Sequence, residues 1–274
     1  MPTPTDPARV GPAARWVTMV NMRALITNDD GIDSPGLLPI AHAALDAGYE
    51  VLVAAPNTQY SGAGASLGGE PEESGFKVSE GRPPGLSEEI ESIAVHASPA
   101  LIAYGGVLEF FGPRPDILLS GVNLGPNVGP AVVHSGTVGA ALTAAAMRIP
   151  ALAASMSTMR PQRWDTAQNI ISRVLPTVPS LPADGRILNL NIPDLEMADV
   201  RGIRSGNLGR YADSTDEASD QVRMLLGGDA IVNLLSQFET GTDGLLLSEG
   251  WATLSLVQGP MHDVNGFEIP ETTF

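Results

Sequence analysis

Four short stretches of this chain carry side chains whose chemistry is complementary. ALITNDDG sets Asp29 beside Asp30 directly after an apolar run. A turn needs only one Asp next to its Gly, and two adjacent carboxylates repel, so the duplicated charge asks for a counter-ion. PNTQYSGA supplies the hydroxyl of Ser61, and SGVNLGPN supplies the amides of Asn123 and Asn127. Two carboxylates, a hydroxyl and amide oxygens form the ligand set of Mg²⁺, Mn²⁺ or Ca²⁺ rather than of a soft metal. The fourth stretch, HSGTVGAALTAAAM, puts Ser135, Gly136 and Thr137 at the start of an Ala-rich helix. Free N–H groups and the helix dipole make such a start an anion cradle, although an ordinary Ser cap has the same spelling. A cation beside an anion cradle is what phosphoester hydrolysis requires, because the two share the charge that develops on the phosphoryl group.

The elements that would position these groups follow from periodicity. ALIT (24 to 27) reads as a buried strand, and Ser34-Pro35 offers an N-cap and first-turn Pro to a helix that Gly48 closes. YEVLVAAP (49 to 56) is the next strand, which makes a right-handed βαβ unit. Further strands are expected at 92 to 98, 116 to 122, 151 to 156 and 186 to 193, with helices from about Pro99 to Phe111, from Gly136 to Met147 and over 163 to 175. Strict alternation predicts an α/β fold: an open, mostly parallel sheet with helices on both faces, whose ligands bind where loops converge at the strand carboxyl ends. The pieces RGIRSG and GLLLSEGWATLSLV look more β-like. The expected organisation is therefore a disordered extension over residues 1 to 22, a catalytic core over 23 to 200, and a β-rich C-terminal extension or dimerisation arm over 201 to 274.

Composition narrows the chemistry. The chain has 274 residues, no cysteine and a formal net charge of −16, which removes thiolate metal sites and cysteine nucleophiles and makes a nucleic-acid polymer an unlikely partner on charge. Lys77 is the sole lysine and stands between Phe76 and Val78, so there is no phosphate-binding GK[ST] loop. No apolar run reaches the roughly 20 residues of a membrane span, and a cytoplasmic location is expected.

These stretches also resemble the SurE, or survival protein E, family. NDDGIDSPGLLPI, PNTQYSGAGASL, AVHASPA, PDILLSGVNLGPNVG, HSGTVGAAL, LNLNIPDL and TDGLLLSEGWATLSL stand in the order seen in that family, from about Met22 to about Val257. The resemblance implies a three-layer Rossmann-like fold, a homodimer or homotetramer with exchanged C-terminal segments, and a metal-dependent phosphatase acting on nucleoside 5′- and 3′-monophosphates. It implies Asp29, Asp30, Ser61 and Asn123 as metal ligands, and Asn127, Ser135, Gly136 and Thr137 as the phosphate-binding set. Pro130-Ala131 replaces an acidic pair usual in the family, His134 a Tyr, and Ser98, Ala100 and Leu101 depart from the usual block. The metal and phosphate positions survive, while the part expected to meet base and sugar differs.

The mechanism so implied has Asp29 or Asp30 orienting or deprotonating a metal-bound water. His134, next to the cradle, is a candidate proton donor, whereas His42, His96 and His262 read as structural. Asn189 and Asn191 alternate with leucines on one strand, so they share a face able to reach a loop or a partner subunit. One rival is a metal- or nucleotide-binding protein that turns nothing over. Another is an aspartyl-phosphate phosphatase, which needs Asp-x-Asp spacing in place of the adjacent pair found here.

Overall fold

The computed structural model describes residues 22 to 73, 75 to 209, 235 and 239 to 259. Nearly all of the expected N-terminal extension, His262 and much of the C-terminal region lie outside the described residues.

The first βαβ unit consists of β1 (Arg23–Thr27), α1 (Leu37–Asp46) and β2 (Glu50–Pro56). A small hairpin, β3 (Pro71–Glu72) and β4 (Gly75–Phe76), precedes β5 (Val78–Glu80) and β6 (Glu91–Val95). Then come α2 (Pro99–Val107), β7 (Ile117–Asn123), a 3₁₀ turn over Gly129–His134 and α3 (Gly136–Ala146). After β8 (Ala151–Met156), α4 (Trp164–Val174) and β9 (Arg186–Ile192), the described chain ends with β10 (Ile203–Ser205), α5 (Asp243–Ser248) and β11 (Ala252–Gln258).

One nine-stranded sheet runs in the order β10-β11-β9-β8-β7-β1-β2-β6-β5. The strands from β9 to β6 are all parallel, and β11 and β5 pair antiparallel at its two flanks. The chain winds outward from β1 through β2 to β6, then returns to β7 on the other side, so β1 and β7 flank the switch point where ligands bind in such sheets. Helices α1 and α4 bury Ile40, Ala44, Ile170 and Ile171 on one face; α2 and α3 bury Ile102, Ala103, Val138 and Ala141 on the other. The strands are buried on both faces, which is why they spell continuous apolar runs. The expected three layers and all six expected strands are present.

Two local readings need correction. Helix α1 begins at Leu37 rather than at Ser34-Pro35, because Gly36 is tied to β7: Val122 N–H donates to its carbonyl at 2.9 Å, and a Cβ on Gly36 would stand 2.0 Å from the Val122 oxygen. Of the stretch expected to be β-like, GLLLS is helical in α5, burying Leu246 and Leu247, and only ATLSLVQ becomes a strand. A short apolar run cannot announce its own period; tertiary burial chose for it.

Candidate active site

The loop after β1 is closed by Asn28, which accepts from Gly31 N–H at 3.2 Å and donates to the Gly31 carbonyl at 3.0 Å. That turn leaves both neighbouring carboxylates on the carboxyl end of the sheet. Asp29 is 3% exposed and accepts a hydrogen bond of 2.6 Å from Thr137 Oγ1, itself fully buried. Gly136 makes the approach possible, since a Cβ there would meet the Asp29 Oδ2 at 2.9 Å and its Cβ at 2.7 Å. Burial raises the Asp29 carboxyl above its ordinary range, opposed by the Thr137 hydroxyl and by the backbone N–H groups of Thr137 and Gly136. Asp30 Oδ2 accepts from Leu124 N–H at 3.0 Å, which pins the first loop to the loop after β7. The Asp30 carboxyl is pushed up to about 7, first by burial and then by the Asp29 charge.

The remaining groups come from other loops. Tyr60 N–H donates to the Asp29 carbonyl at 2.7 Å and so brings in the loop after β2; Ser61 follows, its hydroxyl accepting from Gln59 at 2.9 Å. Asn123 ends β7 and donates its amide N–H to the Gly125 carbonyl at 2.7 Å, leaving its Oδ1 without a hydrogen bond among the described residues. Asn127 is held on every side. Its N–H donates to Asn191 Oδ1 at 2.7 Å, its carbonyl accepts from Asn189 and Asn191 at 2.8 and 2.9 Å, and its amide donates to Ser155 Oγ at 2.8 Å. Ser135 caps α3 by accepting from Val138 N–H at 3.1 Å.

Asp29, Ser61, Asn123, Asn127 and Ser135 line one cleft of about 130 Å³, together with His134 and Met159. Asp30 is off the lining and bonds to Leu124, which is on it, and Gly136 and Thr137 lie behind Asp29. A larger hollow of about 620 Å³, lined by Arg23, Glu50, Glu91 and Phe110, lies at the opposite, amino ends of the strands and contains none of these groups. Asn28, Ser155, Asn189 and Asn191 support the site without being expected in it. For the two strand asparagines the signal was their placement on one face of β9, and they do reach a loop.

The donor set suits a hard cation. Among the described residues there is no cluster of three or more Asp, Glu or His side chains able to hold a metal alone. A buried and a half-buried carboxylate, a hydroxyl and an uncommitted amide oxygen leave places for water, as Mg²⁺ and Mn²⁺ prefer.

Comparison with known proteins identifies the family. The family model described as "Survival protein SurE" matches residues 24–215, a span that contains every loop of the cleft. Proteins named 5′/3′-nucleotidase SurE from Klebsiella pneumoniae (strain 342) and from Salmonella typhi are each 40% identical over 190 residues, covering 69% of this chain and 70% of theirs. The crystal structure of the SurE protein from Aquifex aeolicus superimposes with a TM-score of 0.65 at 25% identity, covering 86% of this chain and 93% of that one. By the span of the family match and the identity of these relatives, the chain belongs to the SurE family.

Proposed function

We propose that this chain hydrolyses nucleoside 5′- and 3′-monophosphates with the help of a divalent cation held by Asp29, Asp30, Ser61 and Asn123. Family membership makes it a hydrolase of the phosphatase, nucleotidase type. The observation that supports the finer reading is the convergence of carboxylate, hydroxyl and amide groups from separate loops on one cleft, with the start of α3 against Asp29.

Mn²⁺ or Mg²⁺, or Ca²⁺ in the same oxygen set, would supply Lewis-acid polarisation of the phosphate and a lowered pKa for water. The protein's own groups divide the other tasks. Thr137 and the N–H groups at the start of α3 fix Asp29 as a ligand in one rotamer. Asp30, less deeply buried and tied to Leu124 through one oxygen, orients the attacking water and takes its proton. Asn127 and Ser135, with Gly136 and Thr137 behind them, hold the phosphate oxygens and stabilise the charge that builds there. His134 lines the same cleft and is the candidate donor to the leaving group. Association into a homodimer or homotetramer through the C-terminal region and a cytoplasmic location belong to the same reading. Among the described residues no helix is long and apolar enough to cross a membrane.

The test is phosphate release from a panel of nucleoside monophosphates with Mn²⁺ or Mg²⁺, beside thermal melts with and without metal. Turnover that stops with chelator is expected. A folded protein whose melt responds to metal but which releases no phosphate would be a binding protein instead.

A further inference from the structure

Asn127, Val128 and Gly129 lie in the middle of the loop that lines the cleft; β9 holds the first, and α5 holds the other two. Asn127 is held by the asparagines of β9, and Val128, fully buried, packs in a small cluster with Leu247 of α5 and Leu235. Gly129 N–H donates to Asp243 Oδ2 at 2.9 Å. The other oxygen, Oδ1, accepts from Gly209 N–H and Gly244 N–H, each at 2.9 Å. Asp243 is fully buried, its own N–H donates to the Asn207 carbonyl at 2.8 Å, and a Cβ on Gly206 would stand 3.0 Å from its Cα. One carboxylate thus joins the cleft loop, the segment after β10 and the first turn of α5.

We infer that Asp243 is a positioning residue for phosphate binding: it sets the Asn127–Ser135 loop by holding Gly129 against α5. Both of its oxygens must accept. An amide of the same shape can accept on one side only and would set an NH₂ against either Gly129 N–H or the glycine N–H groups, leaving buried donors facing each other. The loop then shifts at the point where Asn127 and Ser135 meet the phosphate, and small displacements there weaken binding steeply. The Asp243 carboxylate itself bonds Gly129, Gly209 and Gly244, and neither Asp29 nor Asp30.

The inference rests on the nucleotidase reading for its kinetic arm alone. In Asp243→Asn, KM for a nucleoside monophosphate and the inhibition constant of inorganic phosphate should both rise by about tenfold, kcat should fall as well because the displaced groups stabilise developing charge, and the Mn²⁺-induced melting shift should be retained. Ile171→Val in α4 serves as a control for general destabilisation and should leave both constants alone. Hydrogen exchange of the segment spanning Gly129 should accelerate in Asp243→Asn and stay slow in the control. If Asp243→Asn does not fold, Asp243→Glu keeps the charge but displaces its oxygens by a methylene, and the same constants should rise by about threefold. Unchanged phosphate affinity in an active variant, or unchanged exchange at Gly129, overturns the assignment. A wild-type protein without phosphatase activity would refute the nucleotidase reading and leave the exchange result to judge Asp243.

Discussion

In the loop after β1, Asn28 closes the turn that carries Asp29 and Asp30 through two hydrogen bonds to Gly31, three positions away. The loop after β7 takes its shape from partners 28 to 114 positions distant: Ser155, Asn189, Asn191 and Asp243. The turn that carries the two carboxylates closes locally, although their side chains then meet Thr137 and Leu124, 108 and 94 positions away; the amide wall owes even its backbone course to tertiary contacts and carries neutral donors. Damage should divide accordingly. Changes on the carboxylate wall should remove chemistry and spare the fold, while changes on the amide wall should couple substrate affinity to stability.

The largest effect is expected from Asp30→Asn. In the proposed mechanism it removes a cation ligand and the proton acceptor together, so phosphate release should fall by on the order of 10²–10³ or more. It also removes a charge that burial and Asp29 both oppose, so the metal-free melting temperature should hold or rise. Activity assays and melts on the same preparation check both halves. Retained turnover, or collapse of the fold, would erase the proposed difference between the walls.

Thr137→Val sits where the walls meet. The substitution keeps the volume but leaves Asp29 Oδ1 without its 2.6 Å donor in a fully buried position. The expected cost is about 1–3 kcal/mol in stability, and about 10–100-fold in metal affinity or activity, as for the loss of a partner that orients a ligand. A titration of Mn²⁺ against the melting temperature measures it.

The difference between the walls also explains what could be read from the sequence. Adjacent aspartates after an apolar run announce a charge that needs an answer, and ALIT, DILLS and ALAASM announce buried parallel strands, because the signals lie within a few residues of one another. Thr137 reads as part of an anion cradle at a helix start. That its hydroxyl goes to Asp29, 108 positions earlier, depends on β1 ending beside α3, which no local spacing reports. Asp243 is plainer still: nothing near it along the chain marks it, and its contact with Gly129 spans 114 positions. The asparagines of β9 fall between these cases, since alternation gives their shared face but not the loop they reach. In α5, three consecutive leucines fit either period, and burial of Leu247 against Val128 selected the helix.

Asn191→Leu tests the amide wall directly. It removes the acceptor for Asn127 N–H and one of two donors to its carbonyl, both fully buried, at a cost of about 1–3 kcal/mol. The affinity for inorganic phosphate should weaken, while the melting shift produced by Mn²⁺ stays near that of the unaltered chain. Loss of the Mn²⁺ shift would mean that the walls act as one unit.

The smallest expected effect is a pH dependence that belongs to the carboxylate wall. An Asp in the unfolded chain titrates near about 3.9, and Asp30 in the native protein near about 7. Between those values the metal-free native state keeps a proton that the unfolded chain has lost, so this group lowers stability as pH rises through the window and adds no further change above it. A cation at the pair must displace the same proton, so its stabilising effect should grow over the same range. Metal-free melts at pH 5.5 and 7.5, repeated with a fixed Mn²⁺ concentration, read both trends. Other acidic groups of this strongly negative chain contribute to the raw metal-free curves, and the difference between the wild type and Asp30→Asn reads the Asp30 share together with its coupling to Asp29. A wild-type Mn²⁺ shift that does not change with pH would assign the proton to a group outside the pair.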